Sequence, residues 1–473
     1  MLKTNLRIGL IFIFFAMYFS CLVLISTFDL IQSNEYQKYY QLVFSSALIF
    51  LLIFIKKYIY DIEFPVLIII LVFAFYNIVG FLNSLILETI FLQSSTDIIT
   101  TLSYVNYAIF TLILGLFTVC TIIPATRSIK SISFYIWNLQ KLRFLVYVLF
   151  SVCILALVGF LLQGGGLLLL SEDPSIEYQV KWYPDASVLF SKIYFLTFPL
   201  CALISGIYLC LIMKNGMPQK KRIILVILSV SLINLILTGK RSYVLIPTFT
   251  IIFAYHYYTK KINLWRLIIL SAIVVFLVIM VGYVRTGGIL IKEIGWSKGI
   301  FLSFGGEFTA LARIIYKYPE GKIFEPNTLL KSAILPLFPR QIWAMIGFDK
   351  MAEYRLSGLT ISSLLYDEAG HSGIRVGMIG ELFLEFGLLG IILGMFIFGC
   401  VLGILDRLLK RSHALDIRIL FSSFILSIMF YLIVGQFDGA FSNLYYNLYI
   451  LIIFSLLCRK KLFNNACQHL KVA

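Results

Sequence analysis

Apolar runs of roughly 17 to 25 residues recur along this chain from Ile8 to Cys458, with only short polar breaks between them. That is the length a helix needs to cross about 30 Å of hydrocarbon at 1.5 Å per residue. In lipid every backbone amide and carbonyl must be satisfied within the structure, so a spanning chain is either a helix bundle or a closed barrel. The period-two alternation of barrel strands is missing here. Only 13% of the residues are charged, about half the share usual in soluble domains. The expected fold class is therefore all-α and polytopic in a membrane. The first run, Ile8 to Phe28, has no small-residue cleavage site after it and reads as a retained helix. The eight cysteines fall mostly inside apolar runs and form no CxxC, so they read as small membrane residues.

Hydrophobicity places helices at about 8–28, 42–55, 64–87, 101–124, 144–162, 188–212, 223–238, 243–258, 267–284, 376–405, 419–435 and 442–458. That is about 12 spans. If the N-terminus is cytoplasmic, the inner segments carry basic clusters such as Lys56–Lys57, Lys220 to Arg222, Lys260–Lys261 and Arg407 to Arg411. The short outer segments hold only Lys38, Lys181, Lys192, Lys240 and Arg241. Positive charge collects on the cytoplasmic side of membrane proteins, which predicts both termini inside. The same asymmetry accounts for most of the +16 net charge, with attraction to anionic head groups, and no nucleic-acid partner is needed. Three regions follow: spans 1–9 over 1–284, a large extracytoplasmic segment with short interfacial helices over 285–375, and spans 10–12 with a short cytoplasmic tail over 376–473. A segment as long as 285–375 exceeds what a connector requires and marks function.

Two outer features stand apart. In "INLILTGKRSYVLIP", Ile233 to Pro247, a tight turn carries Lys240 and Arg241 on the side where short loops otherwise avoid cations. They are either snorkelling anchors of a helix hairpin or an anion site, for which the planar fork of an arginine suits phosphate. Arg285 in "GYVRTGG", Arg340 in "LPLFPRQIW", Arg355 and Arg375 add further outer arginines. The second feature is Leu356 to Gly390, where Ser, Asp, Glu, His and Arg gather before the tenth helix. Within that helix Glu381 and Glu385 lie four apart on one face, and carboxylates at membrane depth are costly unless paired, protonated or lining water. Between these features, "GIFLSFGGEFTALARIIYKYPEG" is amphipathic. Gly390/Gly394 and Gly399/Gly403 have the spacing of close helix packing.

About 12 helices, a large late outer loop, "TGKRSYVL" and "VGMIGELFLEFGLLG" together resemble the Wzy-type oligosaccharide repeat-unit polymerases, including the O-antigen polymerases. As sequence the match rests on two stretches, Gly239 to Ser242 and Gly380 to Gly387; the rest is architecture. The resemblance implies transfer of a growing undecaprenyl-diphosphate-linked glycan onto the next lipid-linked repeat unit. It also implies the outer face of the bacterial inner membrane, and a fold akin to the integral-membrane C-type glycosyltransferases. A chain-length regulator and a flippase are the protein partners that such an activity calls for.

The residues suit that chemistry. Outside the cytoplasm the bond energy must arrive as a sugar diphosphate on a lipid. A site then needs cations for the leaving diphosphate, a base for the acceptor hydroxyl and a path for the lipid. Arg241, Arg285, Arg375 and Arg340 are the candidates for the diphosphate, and Glu381 and His371 those for the base, with Glu307 of "GGEF" a third. No DxD, Walker or zinc-type spacing occurs, so neither a metal nor another cofactor is expected. An O-antigen ligase-type transferase would share the fold and the arginines. A lipid-linked oligosaccharide flippase or other transporter is the non-enzyme alternative, and paired internal repeats, which such transporters show, are not evident.

Overall fold

The structure, a computed structural model, describes residues 95–123, 138–162, 188–214, 221–237, 241–258, 306–323 and 376–411. It also describes 65–70 and scattered positions between 73 and 457. Every regular element among the described residues is helical. In chain order they are α1 (Ser95–Ile122), α2 (Leu139–Leu162), α3 (Val188–Lys214), α4 (Lys221–Leu237), α5 (Arg241–Tyr258), α6 (Gly306–Lys317) and α7 (Gly377–Arg411). Three of them, α1, α2 and α7, are long and apolar enough to cross a membrane.

The helices divide between two compact units. In one, α3 packs against α2, α4 and α5. Asn138 caps α2, its side-chain oxygen accepting the amides of Gln140 at 2.8 Å and Lys141 at 3.4 Å, as an N-cap asparagine does for the orphan donors of a first turn. Tyr194 of α3 stacks on Phe160 of α2 at 5.1 Å and meets Phe198 edge-on at 4.9 Å. Polar side chains inside this unit turn back on their own helices: Thr197, Ser205 and Ser231 donate to carbonyls four residues earlier. A hydroxyl in an apolar interior is tolerated once its donor is satisfied.

The other unit contains α1, α6 and α7. Glycine lets α1 and α7 meet backbone to backbone. A Cβ on Gly399 would strike the Leu112 carbonyl and sit 3.0 Å from the Leu116 amide, and one on Gly115 would strike the Phe396 carbonyl. Gly403 lies against Val119, and the Arg407 guanidinium donates to the Cys120 carbonyl at 2.7 Å. Contacts thus advance together along both helices, so the two run parallel. This is the small-residue packing expected where lipid supplies no hydrophobic drive. Asp406, fully buried, accepts from Lys410 at 3.0 Å and Arg407 at 3.4 Å. The pair of cations removes the cost of an uncompensated buried carboxylate, and Arg407 occupies one of the carbonyls that the end of α1 leaves open. The opposite side of α7 is apolar and exposed at Leu389, Leu393, Ile397, Val401, Ile404 and Leu408. That three-and-four spacing forms one apolar stripe along the helix.

The tenth helix, read from the sequence as one span over 376–405, is two. Gly387 sits at φ 68°, ψ −154°, a backbone region open essentially to glycine alone. The arm after it, 388–411, is about 36 Å long and can cross the membrane; the arm before it, 377–386, is about 15 Å and cannot. The short arm folds back on the long one, since the Leu382 carbonyl reaches Gly390 and the Leu382 side chain packs on Gly394. Gly390 and Gly394 therefore serve packing within α7, whereas Gly399 and Gly403 serve α1.

Candidate functional site

The short arm of α7 carries both carboxylates. Helical geometry turns successive residues by 100°, and three directions around this arm are occupied. Leu382 faces the long arm. Phe383 meets the Tyr104 ring of α1 at 5.6 Å. Gly380 lies toward Leu311 of α6, 3.5 Å from where its Cβ would be. Glu381 and Glu385 share the remaining side, and they are only 5% and 4% exposed. Two acidic groups are thus withdrawn from water one turn apart, on a half-helix packed against a long apolar helix, an amphipathic helix and its own continuation.

α6 is amphipathic as its sequence predicts. Phe308, Leu311, Ala312 and Ile315 are buried against α1 and α7, and Tyr316 and Lys317 are exposed. After it the chain turns at Tyr318 to Gly321, whose amide bonds the Tyr318 carbonyl at 3.0 Å. It then crosses the break in α7. A helix leaves its last four carbonyls without partners of its own. At the end of the short arm two of these, on Phe383 and Leu384, accept the amides of Lys322 at 3.3 Å and Ile323 at 2.6 Å. Gly321, Lys322 and Gly387 all have positive φ at this crossing. A Cβ on Gly321 would strike the Phe383 carbonyl, and one on Gly387 would lie 2.8 Å from the Glu320 carbonyl.

Of the residues singled out from the sequence, Glu381 has the buried setting just described. Arg241 is the first residue of α5, in the other unit. α4 ends at Leu237, so the two helices are joined through Thr238, Gly239 and Lys240. A cation at the start of a helix opposes the helix dipole, and no acidic residue stands in the first turn of α5. His371, Arg285, Arg340 and Arg375 lie outside the described residues. Sequence reasoning missed the break and the segment crossing it. Two signals were present: "YPEGK" is turn chemistry, and Gly387 interrupts an otherwise apolar helix. No group of three metal-binding side chains occurs among the described residues.

One family model, described as O-antigen polysaccharide polymerase Wzy, matches residues 8–466. No curated protein and no solved structure matches the chain.

Proposed function

The chain belongs to the O-antigen polysaccharide polymerase Wzy family, and from that premise we propose how its own residues carry out the transfer. It is an inner-membrane polymerase that joins lipid-linked oligosaccharide repeat units into polysaccharide, and the match over nearly the whole chain is the observation that carries this function. In the proposed reaction the donor is a glycan on undecaprenyl diphosphate. The bond between its anomeric carbon and the diphosphate oxygen breaks. A hydroxyl of the next lipid-linked repeat unit attacks that carbon and gives up its proton. Glu381 takes the proton, with His371 the other candidate. Arg241, Arg285, Arg340 and Arg375 meet the charge that develops on the departing lipid diphosphate. The placement of Arg241 supports its share: beside the amides of a helix start, an arginine completes an anion site and is otherwise electrostatically misplaced.

The architecture we propose has about 12 spans, both termini in the cytoplasm and the segment 285–375 outside, in a fold akin to the C-type glycosyltransferases. The parallel pairing of α1 with the long arm of α7 supports the span count between them, because the charge pattern has both helices run in the same direction across the membrane. Reporter fusions or cysteine accessibility should place Lys220 and Lys410 inside and Tyr318 and Gly370 outside. Gly370 found in the cytoplasm would invert the scheme and move the site to the wrong face.

Function is tested in cells lacking the protein. Single repeat units should remain on the acceptor while the polymer ladder disappears, and the wild-type chain should restore the ladder. Loss of the single units as well would identify a ligase, since a ligase defect prevents any attachment. A chain-length regulator and a flippase are the partners proposed to work beside it.

A further inference from the structure

We propose that the backbone of Gly321 to Ile323 is a strap that sets the position of the carboxylate-bearing arm of α7, which makes Gly321 and Gly387 positioning residues of the transfer step although neither touches substrate. The proposal rests on the reading that a carboxylate of this arm acts in the reaction.

The short arm needs such a device. It is too short to span, its C-terminal carbonyls have no helix partners of their own, and a buried backbone carbonyl is tolerated only when protein or water satisfies it. The strap supplies two amides, from Lys322 and Ile323, to Phe383 and Leu384. Those carbonyls lie within the same turn as Glu385 and one turn from Glu381, so a shift of the crossing moves both carboxylates. The crossing admits no side chain at two points, because the Cβ positions of Gly321 and Gly387 are filled by backbone of the opposite segment. Its register is therefore set by backbone contact at both points. Lys322 adds its stem over Gly387, 3.6 Å from the Cβ position, and a cation near the carbonyl end of a helix is favourable. Upstream, the strap continues directly from α6, whose Leu311 lies toward Gly380 on the same arm. Movement of α6 and movement of the arm are thereby linked at both ends of the arm.

The test uses the full-length protein in lipid nanodiscs, with lipid-diphosphate-linked repeat units extracted from cells that lack it. Gly321→Ala should accelerate hydrogen exchange at the amides of 322 and 323 and lower kcat by about 100-fold, the loss that a misplacement of about 1 Å can produce. KM should stay within about twofold, whereas loss of a merely structural contact would reduce the amount of active protein and leave kcat per folded molecule unchanged. If Gly321→Ala does not fold, replacing Ile323 by its α-hydroxy acid removes only the bond to Leu384. It should give the same split between kcat and KM, to a smaller degree. Faster exchange with unchanged kcat overturns the proposal, as does unchanged exchange in Gly321→Ala. Glu381→Gln and Glu385→Gln, assayed beside these, separate the two readings. If both keep wild-type turnover, the carboxylate reading fails and takes the strap proposal with it. If either is inactive while the strap variants turn over normally with the bond gone, the strap proposal fails alone.

Discussion

Exchanging Glu381 for glutamine should lower polymer formation by about 100- to 10,000-fold, the range over which a positioned base accelerates proton transfer. The protein should remain folded and abundant, because glutamine preserves the shape and most of the hydrogen-bonding capacity of the side chain while removing its ability to accept a proton. The measurement is the polymer ladder in cells lacking the native chain, with membrane abundance followed by immunoblot. A buried carboxylate that only paired with a neighbouring cation would behave differently, since glutamine would then strand that cation and the loss would appear in abundance first. Wild-type ladders from Glu381→Gln would remove Glu381 as the base and leave His371, for which His371→Ala is the corresponding variant.

Arg241→Lys is the second large effect. Lysine keeps the charge and loses the planar two-pronged fork, so an arginine that holds a diphosphate should not be replaceable by it. Removing one donor aimed at a developing charge costs about 2.7 to 4 kcal/mol, or roughly 100- to 1000-fold in rate. An anchor that merely reaches for the head-group layer would accept lysine with almost no change. Lys240→Ala should have a much smaller effect than Arg241→Lys. Normal ladders from Arg241→Ala would reduce the pair to a membrane anchor.

Much of the helical framework was legible because long apolar runs advertise themselves as helices. An apolar run of the right length has few other folds open to it, so α3, expected over 188–212, runs over Val188–Lys214, and α5, expected over 243–258, runs over Arg241–Tyr258. The amphipathic pattern around Gly306 to Lys317 was equally readable. The break in α7 was not, because the residues on both sides of Gly387 are as apolar and as helix-forming as those of a continuous span. Hydropathy carries no information about φ. Only a backbone that crosses from elsewhere, here residues 321 to 323, makes the bend possible, and such a partner is invisible to any local reading. For the site the limit was different: Glu381 could be singled out because carboxylates in apolar helices are rare, but the packing of its arm depends on α1 and α6, elements far from it in the chain. The arginines were chosen for their charge and their side of the membrane, and neither criterion specifies which of them meet.

The parallel seating of α1 on the long arm of α7 also has a bearing on biogenesis. The bond from Arg407 to Cys120 joins residues 287 positions apart. At about 5 to 20 residues per second of synthesis, roughly 15 to 60 seconds separate the arrival of the two partners. Through that interval the glycine notch at Gly115 and the open carbonyl at Cys120 have been translated and their match has not. The unit of α1, α6 and α7 is therefore completed late, by a helix near the end of the chain, whereas α2 to α5 are consecutive and can pack on one another as they emerge.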